Sequence, residues 1–227
     1  GDWDLVIVPH SSFKFISVSP ETEERFLNQA LEDANAALKE AEAESEGGRF
    51  KSLGVKAAEA MIASIQRRMD ALRARSKDKL VTFEQMGIDD LTIDESHEFK
   101  NLGYSSNLED VRGMGNKVGS SKAMDLYIKT RYLHESNGSI AFMTGTPISN
   151  SAAEMYTIMR YLAPDVLSEM GLDHFDAFRL QFVDATTAFE PTDSGSGLKA
   201  VTRLGRSWSN MRSLMDAYYS VADVVTN

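Results

Sequence analysis

Gly87-Ile88-Asp89-Asp90-Leu91-Thr92-Ile93-Asp94-Glu95-Ser96-His97-Glu98-Phe99-Lys100-Asn101 passes from a glycine through a short apolar stretch into two adjacent acids. Leu91-Thr92-Ile93 has the composition of a short strand. In an open α/β sheet, ligands bind outside the carboxyl ends of the strands. An Asp at that edge can hold Mg²⁺ beside a nucleotide phosphate, directly or through water. A neighbouring Glu can orient and deprotonate the attacking water. His97 can couple the acids to an adjacent segment through hydrogen bonds. Alone, an acidic pair after a strand is a weak signal, because strand ends are often simply solvated.

About fifty residues downstream the pattern recurs. Ser139-Ile140-Ala141-Phe142-Met143 reads as a buried strand, broken by Thr144-Gly145-Thr146-Pro147-Ile148-Ser149-Asn150. Glycine permits a tight turn there, the hydroxyls can bond neighbouring side chains, and proline fixes the exit. A Ser/Thr-capped strand-to-helix turn would look the same.

Helices fill the intervals. Ala123, Leu126, Tyr127, Thr130 and Leu133 share one face of a helix expected from Ser120 to Leu133, after a Gly/Ser/Asn-rich loop over 103–119. Ala152 to Leu162 is helical, and Pro164 lies beyond its end. Residues 182–204 read as two strands around the turn at 193–197, and a last helix runs from about Asn210 to Val221. At the other end, Trp3-Asp4-Leu5-Val6-Ile7-Val8-Pro9 reads as a buried strand stopped by Pro9. Ser19 caps a helix that has Pro20 in its first turn. Strands alternating with helices imply a parallel sheet.

Between these lies a different texture. Leu27, Leu31, Ala34, Leu38 and Ala41, and then Ala58, Ile62, Ile65, Met69 and Leu72, recur at steps of three and four on either side of Gly47-Gly48. Two such stripes around a glycine break imply an antiparallel helical hairpin, inserted over residues 20–76 and expected to protrude. Residues 20–46 hold nine acids and two bases, whereas 47–80 hold nine bases and three acids, so the arms should pair. A structural insertion is the plain reading. Contact with a partner or DNA through Arg67, Arg68, Arg73 and Arg75 is the sharper one.

Composition narrows the classes. A formal net charge of -10 over 227 residues leaves no broad basic surface for nucleic acid. No apolar run reaches the length of a membrane span, and no secretory leader is expected. The chain has no cysteine, which excludes disulfides and thiolate metal sites and is compatible with a reducing compartment.

Asp94-Glu95-Ser96-His97, followed by Lys100-Asn101, resembles the Walker B segment of superfamily-2 ATPases of Swi/Snf type, with Ser96 where Ala is usual. Thr144-Gly145-Thr146-Pro147-Ile148-Ser149-Asn150 resembles their third motif, and Glu154-Met155-Tyr156 its continuation. The segment from Trp3 to Phe13 resembles their motif Ib. Most of the chain is similar to the helicase region of phage and mobile-element helicase–DNA methylase fusions, including Ser120–Leu126, Ser149–Ser151 and His174–Phe178.

The resemblance implies an α/β fold: a partial RecA-like parallel sheet with flanking helices, the inserted hairpin, and a C-terminal β-hairpin. Residues 1–19 and 77–227 would form the first ATPase lobe. Asp94 would hold Mg²⁺ and Glu95 would activate water. His97, Thr144, Gly145 and Thr146 would couple hydrolysis to DNA contact, with Ser11, Lys100, Lys122 and Asn150 as weaker DNA candidates. ATP and Mg²⁺ are the implied cofactors. DNA, a second ATPase lobe and an attached adenine methylase are the implied partners, in a cytoplasmic, bacterial or phage-encoded protein.

The chain departs from the family pattern in having no Gly-Lys-Ser/Thr phosphate loop; Gly113-Met114-Gly115-Asn116-Lys117 lacks both the motif and the order. The second lobe with its arginine finger is also missing, and no Pro-Pro of a methylase motif occurs. The expectation is a piece of a longer protein that binds ATP weakly by itself. The alternative is a non-catalytic nucleic-acid or protein binding module that keeps the fold.

Overall fold

The computed structural model describes residues 4–44, 53–74, 81–106, 111–112, 117–148, 151–191 and 197–225. A single helical turn, α1 (His10–Phe13), precedes the two long helices α2 (Pro20–Glu44) and α3 (Leu53–Ala74), which pack on each other. Ser19 caps α2 as its sequence implies: its Oγ accepts the Thr22 N–H at 3.2 Å. Its own N–H donates to both carboxylate oxygens of Glu84, at 2.8 and 2.9 Å.

The apolar stripes meet as expected, with Leu27, Ala34, Ala41, Ala58, Ile65, Met69 and Leu72 all buried. The opposite charges also meet. Arg68 Nε lies 2.8 Å from Glu23 Oε1 and Arg73 Nη2 lies 3.3 Å from Glu24 Oε1. Yet the hairpin does not stand clear of the sheet. Phe26, Leu27, Met61, Ile65 and Met69 belong to one buried cluster with Phe83, Leu91, Ile93, Phe99, Leu126 and Leu133. Each such side chain contributes about 1.5–3 kcal/mol on burial, so the base of the hairpin is part of the main core. The Gly47-Gly48 break and Arg75 lie outside the described residues.

The sheet that positions the site is short. Strand β1 (Asp90–Ile93) continues into a 3-10 turn (Ser96–Phe99). The chain then crosses, by way of the two-residue strand β2 (Val111–Arg112) and helix α4 (Ser121–Glu135), to strand β3 (Ser139–Phe142). Strands β1 and β3 are parallel, with Leu91 opposite Ile140 and Ile93 opposite Phe142. Ser120 caps α4 by accepting the Ala123 N–H at 3.2 Å, and Ala123, Leu126 and Leu133 bury its inner face. The helix closes through Asn137, at φ 57°, and Gly138, whose N–H reaches Leu133 O at 2.8 Å.

Two expected strands differ. Residues 5–9 form no strand, and Leu5 and Ile7 are 77% and 88% exposed. An apolar run becomes a strand only when a neighbouring backbone takes its N–H and C=O groups, and among the described residues the parallel sheet consists of β1 and β3 alone. For the same reason β3 is an edge strand. Ile140 and Phe142 pack on the core while Ser139 and Ala141 are exposed, so it is half-buried rather than buried. Two parallel strands are less than a RecA-like lobe.

The remainder forms a second core. Helix α5 (Ala152–Leu162) matches its sequence signal, and Pro164 opens a further short helix, α6 (Pro164–Glu169), instead of only ending α5. Helix α7 (Phe175–Phe182) was not expected from periodicity. The C-terminal β-hairpin is present as β4 (Val183–Pro191) and β5 (Leu198–Trp208), antiparallel, with β2 along the other edge of β5. The centre of its turn, 192–196, is outside the described residues. Helix α8 (Met211–Tyr219) completes the fold. Tyr104, Tyr156, Phe175, Phe178, Phe182, Leu204 and Leu214 form this second cluster. No helix among the described residues is long and apolar enough to cross a membrane.

Candidate active site

Parallel pairing brings both sequence motifs to one edge. Because Ile93 stands opposite Phe142, the residues that leave β1 and β3 emerge side by side. The junction is tied by backbone bonds: Met143 N–H to Ile93 O at 2.8 Å, then Ser96 N–H to Met143 O at 3.0 Å. Asp94 and Glu95 therefore sit directly beside Met143 and Thr144.

The turn is sharp. Glu95 adopts a left-handed conformation at φ 49°, ψ 45°, which costs a non-glycine residue about 1–2 kcal/mol. Asp94 offsets part of that cost, because its Oδ1 accepts the Glu95 N–H at 2.9 Å. The second Asp94 oxygen stays open on an exposed residue.

His97 bridges the two motifs. Its Nδ1 lies 3.1 Å from Glu95 Oε2 and 3.3 Å from Thr144 Oγ1. An ionised carboxylate only accepts, so a proton on Nδ1 is the tautomer that suits this contact. Thr144 Oγ1 then shares that proton and also accepts the Thr146 N–H at 3.1 Å. Glu95, His97, Thr144 and the Thr146 backbone form one connected run of polar contacts: an ion-pair-distance contact between Glu95 and His97, then hydrogen bonds between His97 and Thr144 and from the Thr146 N–H to Thr144. The Glu95 side chain is 63% exposed, with its other carboxylate oxygen left for solvent. Gly145 lies outside the left-handed region, and a Cβ there would meet nothing within 4 Å, so this turn does not require glycine sterically.

The basic candidates are engaged elsewhere. Lys100 Nζ lies 3.1 Å from Glu154 Oε1 in a largely buried pair. Lys122 Nζ pairs with Glu98 Oε2 at 3.0 Å and sits 4.4 Å from the centre of the Phe99 ring; it holds the Glu98 carboxyl below the usual carboxylate range. Of the hairpin arginines, Arg68 and Arg73 face acids and Arg67 is exposed. Ser11 is exposed on α1. Ser149 and Asn150 lie outside the described residues.

Several participants are invisible to sequence reasoning. His10 stands edge-on to Phe99 at 5.1 Å, which anchors the residue after the acidic turn; no periodicity marks it. Glu154 could have been found, since a largely apolar helix with an acid in its first turn invites a basic partner for that acid. Among the described residues no group of three or more His, Asp or Glu side chains could cage a metal. Mg²⁺ needs no such cage, because it commonly keeps waters and takes one or two carboxylates plus substrate phosphates. Asp94, with one free oxygen, fits that mode. A separate cleft of about 510 Å³ opens between the hairpin and α5–α7, lined by Asp33, Tyr104, Tyr127, Arg131 and Arg160 among others; it touches neither motif.

Comparisons with known proteins agree with a helicase-like, phage-related region. A stretch of 106 residues is 28% identical to "Defense against restriction protein B" of Escherichia phage P1, covering 44% of this chain and 5% of that protein. The chain therefore spans only a small part of the length of that relative. No solved structure matches it. The family described as a probable helicase domain matches residues 1–226, and the chain belongs to that family.

Proposed function

We propose that this chain supplies part of the first RecA-like ATPase lobe of a DNA helicase or translocase, within a longer protein that provides the phosphate-binding loop, the second lobe and, as in the fusions it resembles, an attached methylase. The observation that carries this reading is the run of polar contacts from Glu95 through His97 to Thr144 and Thr146. Two sequence motifs 50 residues apart meet there at the carboxyl edge of parallel strands, where α/β sheets bind ligands.

In this reading Asp94 holds Mg²⁺ through its free oxygen, and the ion would screen the charge of the nucleotide phosphates. Glu95 takes the proton of the water that attacks the γ-phosphorus, as the bond to the ADP oxygen breaks. His97 turns Nδ1–H toward Glu95, which aims the carboxylate. Because Thr144 shares that donor, a shift of the Thr144–Thr146 turn on DNA contact changes how Glu95 is held. The paired Lys100 and Lys122 would stabilise the turn, leaving DNA contact to other residues of the longer protein.

The test is DNA-stimulated phosphate release by the complete protein, wild type against Glu95→Gln, with nucleotide affinity measured in parallel. Loss of a positioned general base lowers turnover about 10²–10⁴-fold while nucleotide binding survives. Near-wild-type turnover would remove Glu95 from the chemistry and make the motif a structural strand end, whereas no phosphate release by the wild type would favour a non-catalytic binding module.

A further inference from the structure

Downstream of Glu95 no sheet ladder fixes the chain, because residues 100–106 have no regular secondary structure. One helix does. Helix α5 reaches this stretch with three side chains. Glu154 Oε1 contacts Lys100 Nζ at 3.1 Å. The Tyr161 hydroxyl lies 3.1 Å from Phe99 O and 2.9 Å from Ala123 O of α4, in a fully buried setting. Arg160 Nη1 donates to Gly103 O at 2.7 Å. Residues 154 and 161 are about two turns apart and share one face, Arg160 is adjacent to Tyr161, and all three land within Phe99–Gly103. The same helix begins eight residues after Thr144.

We infer that α5 is the strut that holds the Glu95–His97–Thr144 chain in register, with Glu154, Arg160 and Tyr161 as positioning residues; their catalytic significance rests on the reading of Glu95 as the base. The 3-10 turn carrying His97 is clamped at its start by Ser96 N–H to Met143 O and at its end by the α5 contacts. The His97 contacts, at 3.1 and 3.3 Å, lie at the long end of the hydrogen-bond range, where a small displacement loses them. A movement of the Thr144–Ile148 segment would thus reach Glu95 by two routes: directly through His97, and through α5 at the far end of the turn.

The experiment uses this chain with ¹⁵N-labelled histidine. It has four histidines, and His97→Gln identifies the His97 signals. At a pH where the ring is neutral, the wild type should show His97 mainly as the Nδ1–H tautomer. Free imidazole side chains favour Nε2–H, so Glu154→Gln and Tyr161→Phe should each move His97 from mainly Nδ1–H to mainly Nε2–H, with His174 unchanged. A merely structural contribution would lower the melting temperature and leave the tautomer alone. If Glu154→Gln does not fold, Tyr161→Phe, which removes only one oxygen, decides. An unchanged His97 tautomer in a folded variant, or an Nε2–H tautomer in the wild type, overturns the proposal. No nucleotide is involved, so α5 can fail as a strut while the Glu95→Gln assay succeeds, and the reverse.

Discussion

Replacing Lys129 by Met removes one half of a buried ion pair whose other half cannot leave. The Lys129 side chain is 0% exposed, its Nζ lies 2.6 Å from Asp125 Oδ2 and 3.1 Å from Phe13 O, and it stands 3.9 Å over the Phe13 ring. Removing one partner of a buried pair costs about 3–5 kcal/mol. Asp125 is 20% exposed and keeps Arg68 Nη2 at 3.7 Å, which places the cost at the lower end, about 3 kcal/mol. For a domain of this size that is a fall in melting temperature of about 6–12 °C.

The double variant Asp125→Leu/Lys129→Met leaves no orphaned charge and should melt above Lys129→Met alone. The pH dependence gives the sign. Burial pushes the Asp125 carboxyl above its ordinary value, against the pull of Lys129. An acid with a raised folded pKa favours the fold when protonated, and that stability is lost as pH rises through the folded pKa. Without Lys129 nothing of comparable proximity opposes the shift, so the gap between variant and wild type should narrow as pH falls from 7 toward 5. Thermal melts followed by circular dichroism suffice. A variant within about 2 °C of wild type at pH 7, or a gap that widens on acidification, would refute the reasoning.

Glycine substitutions should separate crowding from dihedral strain. Gly119 has φ +77° and a Cβ there would lie 2.2 Å from Gly103 N, so Gly119→Ala should cost more than about 3 kcal/mol, whereas Gly87 at φ +66° meets open space and Gly87→Ala should cost about 1–2 kcal/mol, both read from denaturant melts. At Glu84, burial pushes the carboxyl up but the Ser19 N–H and further hydrogen bonds outweigh it, leaving the pKa below its ordinary value. That stability is present above the unfolded pKa and lost as pH falls through the folded one, so the advantage of wild type over Glu84→Gln should vanish in acid; an advantage that persists there would show that the charge contributes nothing. Calorimetric titration of this chain with Mg-ATP should give no low-micromolar binding, since no Gly-Lys-Ser/Thr loop lies within its sequence.

Elements whose signals are local were legible in the sequence. The spacing of Leu27, Ala34 and Ala41, the cap at Ser19, the cap at Ser120 and the breaks around Ala152–Leu162 each depend on residues within a turn or two of one another. Short-range sterics and hydrogen bonding therefore determine α2, α4 and α5 wherever the chain lies. The two candidate motifs were legible too, because each is a contiguous string at a strand end. Only the tertiary structure decided what depends on a distant neighbour. Residues 5–9 have the composition of a strand, yet strand formation needs a second backbone, and among the described residues none pairs with them. Lys129 sits on a helix face that the sequence marks only as mixed; Asp125 and Phe13, 4 and 116 residues away, make its burial tolerable. Lys100 and Lys122, weaker candidates for DNA contact from the sequence, stand opposite Glu154 and Glu98. The meeting of Glu95, His97 and Thr144 required the parallel register of Ile93 with Phe142, which no single segment encodes. A charge or a hydrogen bond is a property of two groups, and the sequence displays them one at a time.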